Sequence, residues 1–214
     1  THMTNQRPLV AFDLEATGTP PEEARIIEIG AYKLESLGDE ITESTPVFEM
    51  LINPQFEIPE IVTELTGIKQ EDVMDAPPFR AVALHVWEFF SGCDVMAYNG
   101  ASYDIPLLNA EMRREGYDDI ITPDVNWIDP MMVYRNSERM YSLEYAYQFY
   151  TGRTIEQDHR SGTDIRMMLG VARAQVERYE SEPTGESMQK AALGERLDFQ
   201  GHFQYLNFDA VVRQ

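Results

Sequence analysis

The strand predicted over residues 9–14 most constrains the fold, because it is apolar on both faces and runs into two carboxylates. Side chains alternate along a strand, so Leu9, Asp13 and Glu15 share one face while Phe12 lies on the other. Neither face suits water, which predicts a central strand in a covered sheet. Two like charges on a core-facing side cost several kcal/mol each unless cations neutralise them. The alternative is a strand that emerges into a surface loop, with both acids solvated.

The remaining pattern predicts an α/β layer architecture, with a mixed five-stranded sheet flanked by helices. Short links between the first three strands indicate an antiparallel meander, after which helical spacing of apolar residues alternates with strand-like runs. The predicted strands are 9–14, 25–34, 46–52, 94–98 and 125–128, and the predicted helices are 59–65, 78–90, 104–115, 130–135, 142–150 and 161–179.

Length and composition predict one main domain in a chain of 214 residues. We expect the domain at 8–179, a polar linker at 180–187, and an aromatic extension at 188–214 that packs on the domain or on a partner. Residues 1–3 resemble an expression-vector remnant. No apolar run approaches the length of a membrane span and no leader pattern opens the chain, while the single cysteine, Cys93, fits a reducing compartment. We therefore expect a cytoplasmic protein with no membrane partner.

The net charge of −20 limits the substrates that the chain can retain. Proteins that hold nucleic acid by neutralising phosphates are normally basic. The stretch 113–178 is nearly neutral, with nine basic and eleven acidic residues, so a phosphate-facing surface is expected to draw on it. The acidic remainder argues against tight, sequence-independent binding to long polymers.

Two further acids occupy positions where a structural role and a chemical role are both open. Asp104 opens a predicted helix after a strand, where Asp is a common N-cap, yet its carboxylate would also face Asp13. Asp164 follows Ser161 with capping-box spacing, yet it borders the apolar stripe of the helix. His159 by itself would be a solvated surface histidine; beside a metal cluster it has the pKa range of a general base near neutrality.

Together these residues form a set of four carboxylates and one histidine. Hard oxygen ligands without a cysteine cluster indicate Mg²⁺ or Mn²⁺ rather than zinc. Four acids suit two ions about 3.5–4 Å apart, the arrangement used for phosphodiester hydrolysis. The residues alone therefore predict a two-metal phosphoryl hydrolase.

Three motifs in order resemble those of a known family: Asp-Leu-Glu-Ala-Thr-Gly from Asp13, Asn-x₄-Asp ending at Asp104, and His-x₄-Asp from His159 to Asp164. The set is similar to the exonuclease motifs of the DEDD superfamily, in its His-type branch, which has an RNase H-like fold. That branch includes polymerase proofreading subunits and RNA-trimming enzymes. The resemblance spans about residues 8–179 and implies a 3′→5′ exonuclease that releases nucleoside 5′-monophosphates.

The resemblance also implies roles for individual residues. Asp13 would bridge both ions, Glu15 and Asp164 would complete the ligands of the first, and Asp104 would support the second, directly or through water. His159 would take the proton of the attacking water. Contacts to the terminal nucleotide would come from a further set of residues: Leu14, Ala16, Thr17, Leu65, Thr66 and Tyr103.

The expected partners are single-stranded or frayed 3′ ends of DNA or RNA, with a polymerase or a second copy of the chain as a protein partner. Two other functions stay open at this point. The acidic surface and the aromatic extension would also suit a catalytically silent RNase H-like binding module. The net charge would also suit a hydrolase of very short oligonucleotides.

Overall fold

The fold is given by a computed structural model that describes residues 7–138, 142–156, 158 and 160–179, with side chains other than those of 135–138 and 178–179. The predicted remnant at 1–3, the linker at 180–187, the extension at 188–214 and His159 lie outside the described residues. In the part of the chain that is described, no helix is long and apolar enough to cross a membrane.

The described residues form one five-stranded sheet with the order β3-β2-β1-β4-β5. The first two pairs are antiparallel and the last two are parallel, so the sheet is mixed, as predicted. The strands are β1 (Leu9–Ala16), β2 (Ile26–Leu34), β3 (Val47–Leu51), β4 (Asp94–Met96) and β5 (Trp127–Ile128).

Seven helices complete the described part of the chain. They are α1 (Glu60–Thr66), α2 (Gln70–Val73), α3 (Phe79–Phe90), α4 (Asp104–Arg114), α5 (Pro130–Glu138), α6 (Leu143–Thr151) and α7 (Ser161–Tyr179). Six of them match predicted helices. The exception is α2, a single turn that is too short to show helical periodicity in the sequence.

The sheet is covered on both faces, which is why β1 has apolar residues on both sides. Val10 and Phe12 pack into a core with α3 and α4. Leu9 and Ala11 face the other way, into a core formed with α7. The prediction of a central, doubly covered strand is therefore confirmed. Because β1, β4 and β5 are parallel, their carboxyl ends lie at one edge of the sheet.

Candidate metal centre

Asp13 and Glu15 lie at the carboxyl end of β1, on the face that α7 covers. In the antiparallel pair with β2, Asp13 is opposite Gly30 and Glu15 is opposite Glu28. Cross-strand partners point to the same face of a sheet, so Glu28 adds a further acid beside Glu15. The alternative in which Asp13 and Glu15 extend from a surface loop is thereby wrong, since both belong to the strand itself.

Gly30 allows the first turn of α7 to approach the sheet closely. A Cβ atom at this position would lie 2.1 Å from Oγ and 2.4 Å from Cβ of Ser161. Asp164 lies in this first turn, and one oxygen from each of Asp13, Glu15 and Asp164 lies within 4.8 Å of the other two. The sequence-predicted acids of β1 and α7 are thus brought together, and all three are half-buried.

Asp104 is the first residue of α4 and lies next to this group without belonging to it. Its carboxylate Oδ2 accepts a hydrogen bond from the backbone N–H of Leu14 at 3.1 Å. The N-cap position is occupied by Tyr103, with no side-chain cap bond. The N-cap interpretation of Asp104 is therefore wrong, because its carboxylate is directed across to β1 instead of back onto its own helix.

Burial and mutual repulsion raise the pKa values of the acids in the site. Burial raises the pKa of Asp13 well above its ordinary value, and the charges of Asp104, Glu15 and Asp164 raise it further. Burial raises the pKa of Glu15 to about 8, with Glu28 as the largest charge contribution. Burial likewise raises the pKa of Asp104 to about 7, against the hydrogen bond from Leu14.

This arrangement fits a divalent cation. Oδ2 of Asp13 is buried without a hydrogen-bond partner, and within the described ranges no ion pair involves Asp13, Glu15 or Asp104. Oxygen ligands of an octahedral Mg²⁺ are about 3 Å apart when adjacent and about 4.2 Å apart when opposed, so three oxygens within 4.8 Å of one another can share an ion after small movements. A cleft of about 230 Å³ adjoins them, and its lining includes Asp13, Asp164, Tyr98, Leu143 and Glu144.

The segment that precedes α7 is anchored to the sheet. His159 itself lies outside the described residues, but both neighbours are placed. Asp158 Oδ1 accepts from the Arg160 backbone N–H at 3.0 Å, and Arg160 Nη1 lies 3.8 Å from Glu28 Oε2. The predicted capping box is wrong, since Ser161 is itself the first residue of α7 and the backbone N–H of Asp164 donates to Arg160 O at 3.1 Å.

The six residues predicted to contact a nucleotide differ in what they offer. Leu14, Ala16, Thr17 and Thr66 are buried. Both threonine hydroxyls are used within the chain: Thr17 Oγ1 accepts from Arg25 N–H at 2.9 Å, and Thr66 donates to Val62 O at 2.8 Å.

The other two offer accessible side-chain surface. Leu65 is 64% exposed, and Tyr103 is half-buried, with its hydroxyl donating to Gly18 O at 2.8 Å. Nucleotide binding by any of the six stays a prediction.

Glu28 is a residue that the sequence reasoning missed. It is 7% exposed, and one of its oxygens is buried without a hydrogen-bond partner among the described residues. The available signal was the one used for Asp13: a lone charge between Ile27 and Ile29 in an apolar strand. A charge in such a place requires a partner, and here Arg160 and the Ser161 backbone N–H lower a pKa that burial raises.

Comparison with known proteins gives a family match over most of the chain. The model of the family described as Exonuclease matches residues 10–172, a span that contains all four acids and His159.

Curated relatives match the same region. A PolC-type DNA polymerase III of Caldanaerobacter subterraneus is 29% identical over 160 residues, which cover 73% of this chain and 11% of that protein. The 3′-5′ exonuclease DinG of Bacillus subtilis is 32% identical over 132 residues, 61% of this chain and 13% of that protein. The chain therefore spans only a small part of these two relatives.

A relative of similar size and a solved structure complete the comparison. The DNA polymerase III subunit epsilon of Treponema pallidum is 29% identical over 164 residues, 74% of this chain and 72% of that protein. The crystal structure of E. coli exonuclease I in complex with a dA16 oligonucleotide has a TM-score of 0.71 at 18% identity, covering 82% of this chain and 42% of that one. The predicted fold and the resemblance to exonucleases are confirmed.

Proposed function

Because the chain belongs to the exonuclease family, we propose that it is a metal-dependent 3′→5′ exonuclease that releases nucleoside 5′-monophosphates. The observation that carries this proposal is the convergence of Asp13, Glu15 and Asp164, whose oxygens lie within 4.8 Å of one another. Such a cluster is costly to bury without cations, and its members come from two elements far apart in sequence.

Asp13, Glu15 and Asp164 would hold one Mg²⁺ or Mn²⁺ ion, and Asp13 and Asp104 a second. This division is supported by Asp104 lying outside the group of three while making the largest charge contribution to the raised pKa of Asp13. When bound, such ions polarise the scissile phosphate and offset the charge that develops on the leaving oxygen. Glu28 lies opposite Glu15 on β2, where its negative charge would also favour a bound cation.

His159 is the proposed general base. It would accept a proton from water as the water oxygen attacks phosphorus, while the bond from phosphorus to the 3′ oxygen breaks. The leaving 3′ oxygen takes up a proton and becomes the new 3′ hydroxyl of the shortened strand, and the released nucleotide carries the 5′ phosphate. The role is supported by the adjacent Arg160, whose Nη1 lies 3.8 Å from Glu28 Oε2 on β2, across the sheet from Glu15.

The proposed substrates are single-stranded or frayed 3′ ends, with DNA favoured over RNA. The relatives named above are DNA polymerases and an exonuclease, and the structural neighbour was solved with an oligodeoxynucleotide. A net charge of −20 gives weak retention on long polymers. A polymerase partner, as in the PolC-type relatives, would supply that retention.

The test is digestion of 5′-labelled oligonucleotides of DNA and RNA, single- and double-stranded, with Mg²⁺ or Mn²⁺. We expect a ladder that shortens from the 3′ end, is abolished by EDTA, and is lost in Asp13→Asn and His159→Ala. A matched control is Asp75→Asn, an exposed acid outside the cluster, which should keep full activity. Intact substrate across the whole panel would contradict the proposal and favour the silent binding module.

A hydrolase of very short oligonucleotides is the second candidate, favoured by the acidic charge. Rates on substrates of about two, five and thirty nucleotides separate the two functions, because repulsion from the protein grows with the number of phosphates. Faster cleavage of the thirty-nucleotide strand would exclude this candidate.

A further inference from the structure

Asp129 forms hydrogen bonds to two segments, the turn at 99–101 and the start of α5, at the edge of the sheet where the carboxylates lie. It follows β5 directly and is 1% exposed. Its Oδ1 accepts from the backbone N–H of Met131 at 3.1 Å, a bond of the kind that caps the start of a helix, here α5. The same oxygen also accepts from Asn99 N–H at 2.8 Å, and Oδ2 accepts from Ala101 N–H at 3.4 Å. These last two bonds are not needed to cap a helix.

The turn that Asp129 holds determines where α4 begins. Asn99 has a left-handed backbone with φ of 59°, a conformation that asparagine tolerates better than most residues. Its side-chain oxygen accepts from Ser102 Oγ at 2.6 Å. The carbonyl of Gly100 then accepts from Ile105 N–H at 2.9 Å, within the first turn of the helix. The position of Asp104 therefore depends directly on this turn.

We propose that Asp129 is a positioning residue for the metal centre: by fixing the turn at 99–101 it holds Asp104 against the Leu14 N–H, beside Asp13. The proposal rests on the metal-dependent function proposed above. Its carboxylate does not belong to the group formed by Asp13, Glu15 and Asp164; it acts through Asp104.

The physical reason is that the Asp129 carboxylate is the acceptor for two backbone N–H groups of the turn. Without the Asp129 carboxylate, the N–H groups of Asn99 and Ala101 lose their acceptor, and a turn of this kind rearranges to satisfy them. Since Asp104 begins the helix that follows, such a rearrangement displaces its carboxylate. Loss of a residue that orients a metal ligand typically reduces metal affinity 10- to 100-fold.

The variant Asp129→Ser separates the two roles of this residue. Serine is a good N-cap for α5 but is too short to hold the turn at the same time. Asp129→Asn is the milder second variant, because it keeps an oxygen for Asn99 and Met131. The matched control is Asp94→Ser at the opposite end of β4, where a carboxylate 3% exposed accepts from Asn126 N–H at 3.2 Å.

The readout is Mn²⁺ binding, measured by electron paramagnetic resonance of the free ion in titrations of each folded variant. We expect Asp129→Ser to bind the more weakly held ion 10- to 100-fold less tightly, Asp129→Asn to fall in between, and Asp94→Ser to stay within about twofold of the parent. Equal affinity in Asp129→Ser and the parent, or an equal loss in Asp94→Ser, would overturn the proposal.

A double-mutant cycle tests the route through Asp104. In the Asp104→Asn background, Asp129→Ser should cause no further loss of Mn²⁺ affinity, and an additional tenfold loss would overturn the proposal. A parent protein that binds Mn²⁺ but cleaves no oligonucleotide would contradict the proposed function alone, because the comparison of affinities needs no turnover.

Discussion

Replacing Gly30 by alanine should move the start of α7 and separate the carboxylates that are proposed to bind metal. The added Cβ would lie 2.1 Å from Oγ of Ser161 and 2.4 Å from its Cβ, whereas ordinary contacts begin near 3.4 Å. The hydroxyl can rotate away, but Cβ is fixed to the helix backbone. The first turn of α7 must therefore move by about 1 Å, which is the difference between 2.4 Å and ordinary contact.

That displacement should reduce the activity without unfolding the protein. Overpacking of this kind typically lowers the free energy of unfolding by about 1–3 kcal/mol, so the variant stays folded. Asp164 lies in the displaced turn, and a misplacement of about 1 Å at a catalytic centre can reduce the rate about 100-fold. We expect kcat on a single-stranded oligonucleotide to fall by that factor, and the half-saturating Mn²⁺ concentration to rise.

The assay combines kcat, Mn²⁺ titration and chemical unfolding for Gly30→Ala and two companions. The double variant Gly30→Ala/Ser161→Gly removes both clashing atoms and should recover most of the lost activity. Gly162→Ala is the matched control, because its added Cβ meets only side-chain tips at 3.1 Å and beyond. Parent-like kcat in Gly30→Ala, or no recovery in the double variant, would refute the reasoning.

Three further predictions concern the pKa of Glu15, the hydrogen bond of Tyr103 and the nucleotide contact of Leu65. Burial raises the pKa of Glu15 from 4.5 to about 8, so between these pH values the folded protein holds a proton that the unfolded chain has released. In the absence of metal, the free energy of unfolding should therefore fall as the pH rises from 4.5 to about 8. Urea unfolding in EDTA at pH 5 and pH 8 checks this, and a slope unchanged in Glu15→Gln would contradict it. Tyr103→Phe removes the hydrogen bond to Gly18 O and should lower the free energy of unfolding by about 1 kcal/mol in the same assay. An unchanged free energy of unfolding would mean that the bond is not formed in solution. Leu65→Ala should raise KM several-fold and change the free energy of unfolding by less than about 0.5 kcal/mol, since the side chain is 64% exposed. The control is Leu84→Ala, which should change neither quantity: Leu84 is 52% exposed and lies on α3, on the face of the sheet opposite α7. An unaltered KM in Leu65→Ala would exclude Leu65 from the nucleotide site.

The fold followed from the sequence because its strongest signals agree with one another. An apolar strand with no solvent face must be central, and three strands with short links must form a meander. The weakest element, α2 (Gln70–Val73), was missed because one turn carries no periodicity. The last strand was placed correctly but is shorter than expected, with only Trp127 and Ile128 in the ladder.

The grouping of the acids could be predicted from the sequence, but not how each of them is held. Residue type and spacing suffice to predict that Asp13, Glu15 and Asp164 lie together, as they do. They do not show that the Asp104 carboxylate accepts from Leu14, because local pattern favours a cap at any Asp before a helix. The long-range bonds of Asp129 leave no local signature at all, since their partners lie about 30 residues earlier in the chain.

The separation of the carboxylates along the chain bears on what the proposed activity requires. Asp13 and Glu15 precede Asp164 by roughly 150 residues, so an ion that joined them would close a loop of almost the whole domain. A ligand that binds only the folded state stabilises that state alone. A chain without α7 lacks the third carboxylate, so the proposed hydrolytic activity should require the completed domain.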